Sequence, residues 1–217
     1  MISILMPIYN GIEFIHESVP SIIHQSFKDW ELIIGINGHE KDSEVHKQAK
    51  QWEVKDDRIK VYDLVEIKGK STALNEMIKF CKNDWISLLD VDDIWLPKKI
   101  ELQLPYMADY DVIGTRCKYF GSRSGQPNIP VGNISNHNFL SVNPIINSSC
   151  LIKKELCKWD GKWDGVEDYD LWLKLWKQGK QFYNVESIQV MHRIHQESAF
   201  NAQGNHLKVE KLIKRYL

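Results

Sequence analysis

The 217-residue sequence has almost no excess of charge of either sign, no long apolar run and no metal-binding cysteine motif. Its formal net charge of -1 at pH 7 gives no electrostatic case for a nucleic-acid partner. No run approaches the ~18 apolar residues of a membrane-spanning helix. The cysteine spacings match no zinc pattern, so we expect reduced, mostly buried thiols. The four cysteines are Cys81, Cys117, Cys150 and Cys157.

A basic leader is also missing, because Met1 is followed directly by an apolar segment. We therefore expect a cytoplasmic protein. Residues 205–217 are predicted to form a terminal amphipathic helix, with apolar residues alternating with lysine and arginine. A helix docked on the domain is the preferred interpretation of this pattern. The alternative is a peripheral contact with the cytosolic face of a membrane.

Apolar sequence is plentiful, and the chain can bury a sizeable core with 43% hydrophobic and 26% charged residues. Apolar runs predict strands at residues 2–6, 30–36, 58–64 and 85–89. Helical patterns separate these runs, which predicts an α/β fold with a Rossmann-like, mostly parallel sheet flanked by helices. Residues 1–100 thus resemble a nucleotide-binding half. Because no linker divides the chain, we expect residues 1–217 to form a single domain.

The first chemically informative stretch covers residues 85–97, which begin as an apolar strand and end in a cluster of acids. Asp90, Asp92 and Asp93 are expected where the strand stops and the chain turns. Carboxylates at the carboxyl end of a parallel strand can hold Mg²⁺ or Mn²⁺ together with a substrate diphosphate. A solvated acidic turn that caps the next helix is an equally good interpretation of the cluster alone.

A second acidic turn, residues 164–170, opens a predicted helix in the less regular half formed by residues 101–200. Leu171, Trp172 and Leu175 share one face of that helix. From the residues alone, Asp168 is best explained as a carboxylate that the helix dipole favours at a helix N-terminus.

With both acidic turns located, the chain resembles family 2 glycosyltransferases of the GT-A fold. The landmarks occur in the family's order from the N-terminus to about His195. They are Met6 to Asn10, Gln25 with Glu31, Ser71 to Asn75, Leu89 to Pro97, Glu167 to Trp172, and Arg193-Ile194-His195. The resemblance assigns the second half, residues 101–200, to the acceptor and to catalysis.

The resemblance implies a set of site residues. Asp92 matches the metal ligand of the family's Asp-x-Asp motif, with Mn²⁺ or Mg²⁺ as the cofactor. His195 matches a late histidine that completes the metal shell in some members, although a histidine bonded to the backbone near the site is an equal alternative. Nucleotide-sugar binding is implied for Pro7, Tyr9, Asn10, Asn37, Lys70, Asn75, Asp90, Val91 and Asp92.

The same resemblance implies the catalytic residues. Asp168 would be the catalytic base, with Glu167 beside it as an orienting or acceptor-binding group. Trp172 and Arg193 would lie on the acceptor side. The implied reaction is inverting transfer of a sugar from a nucleotide-diphosphate donor, a UDP-sugar by preference, to a hydroxyl of a glycan or lipid-linked saccharide. The metal would neutralise the leaving diphosphate, and the base would take the acceptor proton.

One departure from the family pattern affects the nucleobase. Strand two of the family usually ends in paired aspartates before a glycine, whereas this chain has Asn37-Gly38. An amide can both donate and accept, so a uracil contact is still expected, but the base identity stays open.

Two other functions compete with the transferase. A non-catalytic nucleotide-sugar-binding module would fit if an acid were missing from either turn, and none is missing. A haloacid-dehalogenase-type phosphatase is suggested by Asp90-Val91-Asp92, but Ile94 and the late position of the motif argue against it.

Overall fold

The computed structural model describes residues 1–196 and 204–217. Within these residues the strands join into a single nine-stranded sheet, in the order β3-β2-β1-β4-β8-β6-β9-β5, with β7 paired to β9. The strands are β1 (Ile2–Ile8), β2 (Trp30–Asn37), β3 (Ile59–Leu64), β4 (Trp85–Leu88), β5 (Ile94–Trp95), β6 (Val112–Gly121), β7 (Gly132–Asn133), β8 (Leu151–Lys153) and β9 (Phe182–Ile194). The helices are α1 (Ile15–Ile23), α2 (Glu44–Lys55), α3 (Lys70–Met77), α4 (Lys99–Gln103), α5 (Glu167–Lys177) and α6 (Asn205–Tyr216).

The first four strands of the sheet order are all parallel. Every residue of β2 is buried, and β1 is buried except at Pro7, because helices cover both faces of this part of the sheet. The carboxyl ends of β1, β2 and β4 therefore meet at one edge. This arrangement confirms the predicted α/β fold.

The second half of the sheet is mixed. β8 runs antiparallel to β4 and to β6, whereas β9 runs parallel to β6 over most of its length. Near its end, β9 pairs through Val190 and Met191 with the short β5, next to the first acidic turn. The end of β9 therefore lies at the same edge of the sheet as the carboxyl ends of β1, β2 and β4.

Helix α6 docks on α5, as the preferred interpretation of the terminal segment predicted. Leu212 is fully buried, and the Tyr216 hydroxyl donates to Asp170 Oδ1 at 2.8 Å. None of the helices in the described part of the chain is long and apolar enough to cross a membrane. The four cysteines are free and buried, as expected.

Candidate active site

A cleft of about 720 Å³ opens at the edge where β1, β2 and β4 end. It lies where ligands bind in open α/β sheets, beyond the carboxyl ends of the strands. Ten of the predicted site residues line it: Pro7, Tyr9, Asn10, Asn37, Lys70, Asp90, Val91, Asp92, Arg193 and His195. The structure also adds residues that the sequence did not single out: Gly11, Gly38, Lys68, Gly69, Asp164 and His192.

One end of the cleft carries an exposed aromatic side chain beside an amide. Tyr9 is 58% exposed, and its ring lies 5.4 Å from the His39 ring, measured between centroids. Asn37 ends β2 and is 3% exposed, so its amide forms part of the cleft floor. Gly38 has a φ of +73°, and a Cβ there would lie 3.1 Å from the Tyr9 ring. Glycine is therefore required for this approach of the two segments.

The first acidic turn begins with Asp90, whose carboxylate is held on both oxygens. Lys70 Nζ lies 2.6 Å from Oδ1, and Asn147 Nδ2 donates to Oδ2 at 2.9 Å. Burial works to raise the pKa of Asp90, but the Lys70 charge and these hydrogen bonds outweigh it and lower the pKa. Asp90 is thus a fixed, ionised acceptor on the cleft wall.

Asp92 follows and meets the end of β9. His195 Nε2 lies 2.9 Å from Asp92 Oδ2, so the two predicted metal ligands are in contact. Burial, followed by the charges of Asp93 and Asp90, raises the pKa of Asp92 to about 6. No group of three or more His, Cys, Asp or Glu side chains in metal-binding geometry occurs among the described residues. One carboxylate and one imidazole nevertheless suit Mn²⁺ or Mg²⁺ when substrate phosphates and water complete the shell.

Asp93 has a structural role that the sequence did not reveal. It is 1% exposed, accepts from the Arg193 amide at 2.8 Å and contacts His192 Nδ1 at 2.9 Å. Burial works to lower the pKa of His192, but the Asp93 charge outweighs it and raises the pKa to about 9. A charged imidazole therefore faces the cleft. The sequence signal that could have indicated this role is Asp93 itself, the third acid of the turn, because a carboxylate that is buried requires a partner.

The second acidic turn brings Glu167 and Asp168 to the start of α5. Glu167 Oε2 accepts from the Gly165 amide at 2.7 Å. Asp168 Oδ2 accepts from Asn143 Nδ2 at 3.2 Å. Burial and the neighbouring Glu167 charge raise the pKa of Asp168 to about 6, although Lys70 acts in the opposite direction. Asp168 is therefore ionised at neutral pH and more basic than an ordinary aspartate.

Three predicted site residues make contacts that the sequence did not reveal. Trp172 is fully buried, and its Nε1 donates to the Ile145 carbonyl at 3.1 Å. It therefore packs α5 against the core and offers no surface to an acceptor. The side-chain amide of Asn75 donates to the Trp159 carbonyl and accepts from the Trp159 backbone amide, which keeps it out of the cleft.

Arg193 is the third. Its Nε donates to the Asp92 carbonyl at 2.9 Å, and its guanidinium stacks between the rings of Phe14 and Phe120. Arg193 therefore lies against the first acidic turn and lines the cleft, and its place on the acceptor side stays a prediction.

Comparison with known proteins agrees with this geometry. The family model described as glycosyl transferase family 2 matches residues 3–148. The chain belongs to glycosyl transferase family 2. It is 32% identical over 208 residues to the Escherichia coli O-antigen biosynthesis glycosyltransferase WbnJ, covering 91% of this chain and 81% of that protein. It is 26% identical over 207 residues to the E. coli UDP-Glc:alpha-D-GlcNAc-diphosphoundecaprenol beta-1,3-glucosyltransferase WfaP, covering 90% and 78%.

Solved structures show the same GT-A fold. Staphylococcus aureus TarS 1-349 in complex with UDP-GlcNAc matches 99% of this glycosyltransferase chain with a TM-score of 0.77 at 16% identity. The chain spans 66% of that TarS chain. The Pyrobaculum calidifontis mannosyltransferase PcManGT, in complex with GDP-Man and Mn2+, matches 91% of this chain with a TM-score of 0.70 at 15% identity, and 58% of its own chain is covered. Family membership makes the phosphatase wrong as an interpretation. A non-catalytic module would share the family and the fold, and the complete set of acids in both turns is the observation against it.

Proposed function

We propose that this family 2 glycosyltransferase is an inverting enzyme that transfers a sugar from a UDP-sugar to a hydroxyl of a glycan or lipid-linked saccharide. The observation that carries the proposal is the convergence of the two acidic turns on one cleft. Asp92 and His195 lie at 2.9 Å in the first turn and line the cleft. The second turn lines the cleft through Asp164, and Asp168, with a pKa of about 6, follows four residues later, outside the lining.

The nucleoside is assigned to the aromatic end of the cleft. The exposed Tyr9 ring offers a stacking surface, and the Asn37 amide can donate to and accept from a pyrimidine edge. Pro7 and Asn10 complete this end, and Asp90 with Val91 faces the ribose. UDP is preferred because TarS is in complex with UDP-GlcNAc and WfaP is named for UDP-Glc as its donor.

Asp92 and His195 are the residues that would hold Mn²⁺ or Mg²⁺. When bound, the ion supplies positive charge for the departing diphosphate. PcManGT, a structural neighbour, is in complex with Mn2+. Of the chain's own cations, His192 is kept charged by Asp93 and faces the same cleft. The imidazolium therefore adds to the attraction for a diphosphate.

Asp168 is the proposed general base. It takes the proton of the acceptor hydroxyl as that oxygen attacks the anomeric carbon. The new carbon–oxygen bond forms on one face while the bond to the diphosphate oxygen breaks on the other, and UDP leaves with the electron pair. One in-line displacement inverts the anomeric configuration, so an α-linked donor gives a β-linked product.

The acceptor is proposed by analogy with the relatives. WfaP is named for transfer to a saccharide on diphosphoundecaprenol, and WbnJ is named for O-antigen biosynthesis. A lipid-linked acceptor would place the chain at the cytosolic face of a membrane. The outer face of α6, with Leu207 51% exposed among lysines, is the proposed contact with that surface.

A donor panel tests the proposal. Binding of UDP-glucose, UDP-GlcNAc and GDP-mannose is measured by calorimetry with and without Mn²⁺, and Asp92→Ala serves as the control. We expect Mn²⁺-dependent binding of a UDP-sugar that the variant loses. Product NMR after transfer from an α-linked donor should then show a β-linkage. An α-linked product would overturn the inverting mechanism, and binding of GDP-mannose alone would overturn the assignment of UDP.

A further inference from the structure

Lys70 connects the two acidic turns through its ammonium group. Nζ lies 2.6 Å from Asp90 Oδ1 on the first turn and 3.3 Å from Glu167 Oε1 on the second. Lys70 opens α3, so a third element joins the two turns across the cleft. Nothing in the spacing of the sequence motifs indicates this contact.

The backbone fixes Lys70 in this position. Asp164, which begins the second acidic turn, accepts from the Ser71 amide at 2.9 Å and so caps the start of α3. Gly69 has a φ of +83°, and a Cβ there would lie 2.1 Å from Asp164 Oδ2. The start of α3 and the second acidic turn are therefore in direct contact on both sides of Lys70, which limits where the ammonium can reach.

We propose that Lys70 is a positioning residue for the transfer reaction: it fixes Glu167 against Asp90 and keeps the general base Asp168 ionised in their presence. The inference rests on the proposed function, since it assigns the base role to Asp168. It adds a role that nucleotide-sugar binding alone does not give to Lys70.

Charge balance is the physical basis. The Glu167 side chain is 5% exposed and adjacent in sequence to Asp168, so its negative charge disfavours ionisation of the base. Lys70 is the ammonium that offsets this effect. Burial works to lower the pKa of Lys70, but Asp90 and Glu167 outweigh it and raise the pKa well above its ordinary value, so the lysine stays charged.

The other groups around Asp168 do not replace Lys70. Asn143, which bonds Asp168, is uncharged. Burial raises the pKa of the Cys150 thiol and of the Tyr169 hydroxyl to about 12 each, which keeps both neutral near pH 7. Among the described residues, the charged groups that act on Asp168 are Glu167 on α5 and Lys70 on α3, and the titratable groups that its charge affects besides Lys70 are Cys150 and Tyr169.

The test compares Lys70→Met with Lys70→Arg in the full chain. The pH dependence of kcat/KM for UDP-sugar transfer is measured in excess Mn²⁺. The fall of kcat/KM at low pH, the acid limb, then does not reflect loss of bound metal. We expect Lys70→Met to move the acid limb upward by about one pH unit, the typical effect of a lost opposite charge nearby. Lys70→Arg should restore the limb. Lys79→Met removes an exposed lysine just beyond α3 and should leave it unmoved.

A second variant keeps the test decisive if Lys70→Met folds poorly. The double variant Lys70→Met/Glu167→Gln removes both charges, so its acid limb should return toward that of the wild type. A wild-type limb in Lys70→Met, or a double variant that stays displaced, would overturn the proposal.

An independent readout separates this proposal from the proposed function. If the wild type transfers no sugar, the proposed function fails, and the carboxyl of Asp168 is titrated directly by ¹³C NMR. Its resonance is identified by its loss in Asp168→Asn. A titration midpoint that rises in Lys70→Met supports the positioning role, and an unchanged midpoint contradicts it.

Discussion

His195 Nε2 contacts Asp92 Oδ2 at 2.9 Å, although the two residues are 103 positions apart in the chain. Near the same strand end, the Arg193 backbone amide donates to Asp93, and the Arg193 guanidinium donates to the Asp92 carbonyl. The end of β9 is thus held against the first acidic turn by main-chain and side-chain bonds. The second half of the chain therefore forms one side of the cleft.

The Asp92–His195 pair predicts the metal dependence of donor binding. Asp92→Asn and His195→Ala should each weaken Mn²⁺-dependent UDP binding by about tenfold or more, equal to roughly 1.4 kcal/mol, because each removes one protein ligand. Calorimetric titration with UDP in Mn²⁺, and again after chelation, measures the effect. In the chelated state the variants and the wild type should bind alike.

His16 provides a matched control for the histidine variant, because it lies on α1 and does not line the cleft. His16→Ala should keep metal-dependent binding. Equal Mn²⁺ dependence in His195→Ala and in the wild type would remove His195 from the metal shell.

Asp168→Asn separates binding from chemistry. The amide keeps the shape of the side chain but cannot take a proton, so the transfer rate should fall by about 10²–10⁴-fold, the usual contribution of a general base. UDP binding should be retained, since Asp168 is not among the residues that line the cleft. Single-turnover transfer and calorimetry on the same preparation give both values. Transfer at the native rate would show that another group is the base.

The parts of the fold that could be predicted from the sequence are those set by local patterns. The buried runs of β1 and β2 and the turn after β4 follow from apolar sequence that ends in polar or acidic residues. The order of motifs then placed Asp92 and His195 in one site. The strand and turn signals each lie within a few residues of the chain, whereas the pairing of Asp92 with His195 came from the family resemblance.

The parts that could not be predicted depend on contacts between distant segments. The apolar face of α5 predicted that Trp172 makes an apolar contact, but periodicity does not say whether the contact is with the core or with an acceptor. Asn75 bonds the backbone of a segment 84 residues away, and such loop positions leave no periodic trace. The Lys70 bridge to Glu167 depends on the relative placement of α3 and α5 in the same way.

Gly69→Ala should disturb the link between the two acidic turns. The backbone there has a φ of +83°, and the added methyl would lie 2.1 Å from Asp164 Oδ2. The Asp164 cap on α3 must then move, so we expect a loss of about 1–3 kcal/mol in the free energy of unfolding, together with reduced transfer. Urea unfolding and a transfer assay measure the two effects.

Gly179→Ala is the matched control for this substitution. It has a φ of +73° with no atom within 4 Å of the added methyl, so it carries the backbone cost without the clash. If Gly69→Ala lost no more stability or activity than Gly179→Ala, the contact with Asp164 would have no energetic role.

Lys99 gives a prediction about stability that is independent of the cleft. Its side chain is fully buried, with Nζ 2.9 Å from Ser87 Oγ, 3.0 Å from Gln103 Oε1 and 4.0 Å from the Trp95 ring centroid. These partners are neutral, and burial lowers the pKa of Lys99 from 10.5 to about 7. The folded state therefore releases a proton near neutral pH that the unfolded chain keeps until about pH 10.5.

Lys99→Met should therefore change how stability depends on pH. Between pH 7 and pH 10.5 the unfolded wild type binds more protons at this site than the folded one, so its stability should rise with pH relative to the variant. The slope of that difference is up to roughly 1.4 kcal/mol per pH unit, and it should flatten below pH 7, where both states are protonated. Urea unfolding of both proteins at pH 6, 7, 8 and 9 measures the difference, with the exposed Lys79→Met expected to track the wild type. Parallel curves for Lys99→Met and the wild type would mean that Lys99 keeps its proton in the core, stabilised by its hydrogen bonds and the Trp95 ring.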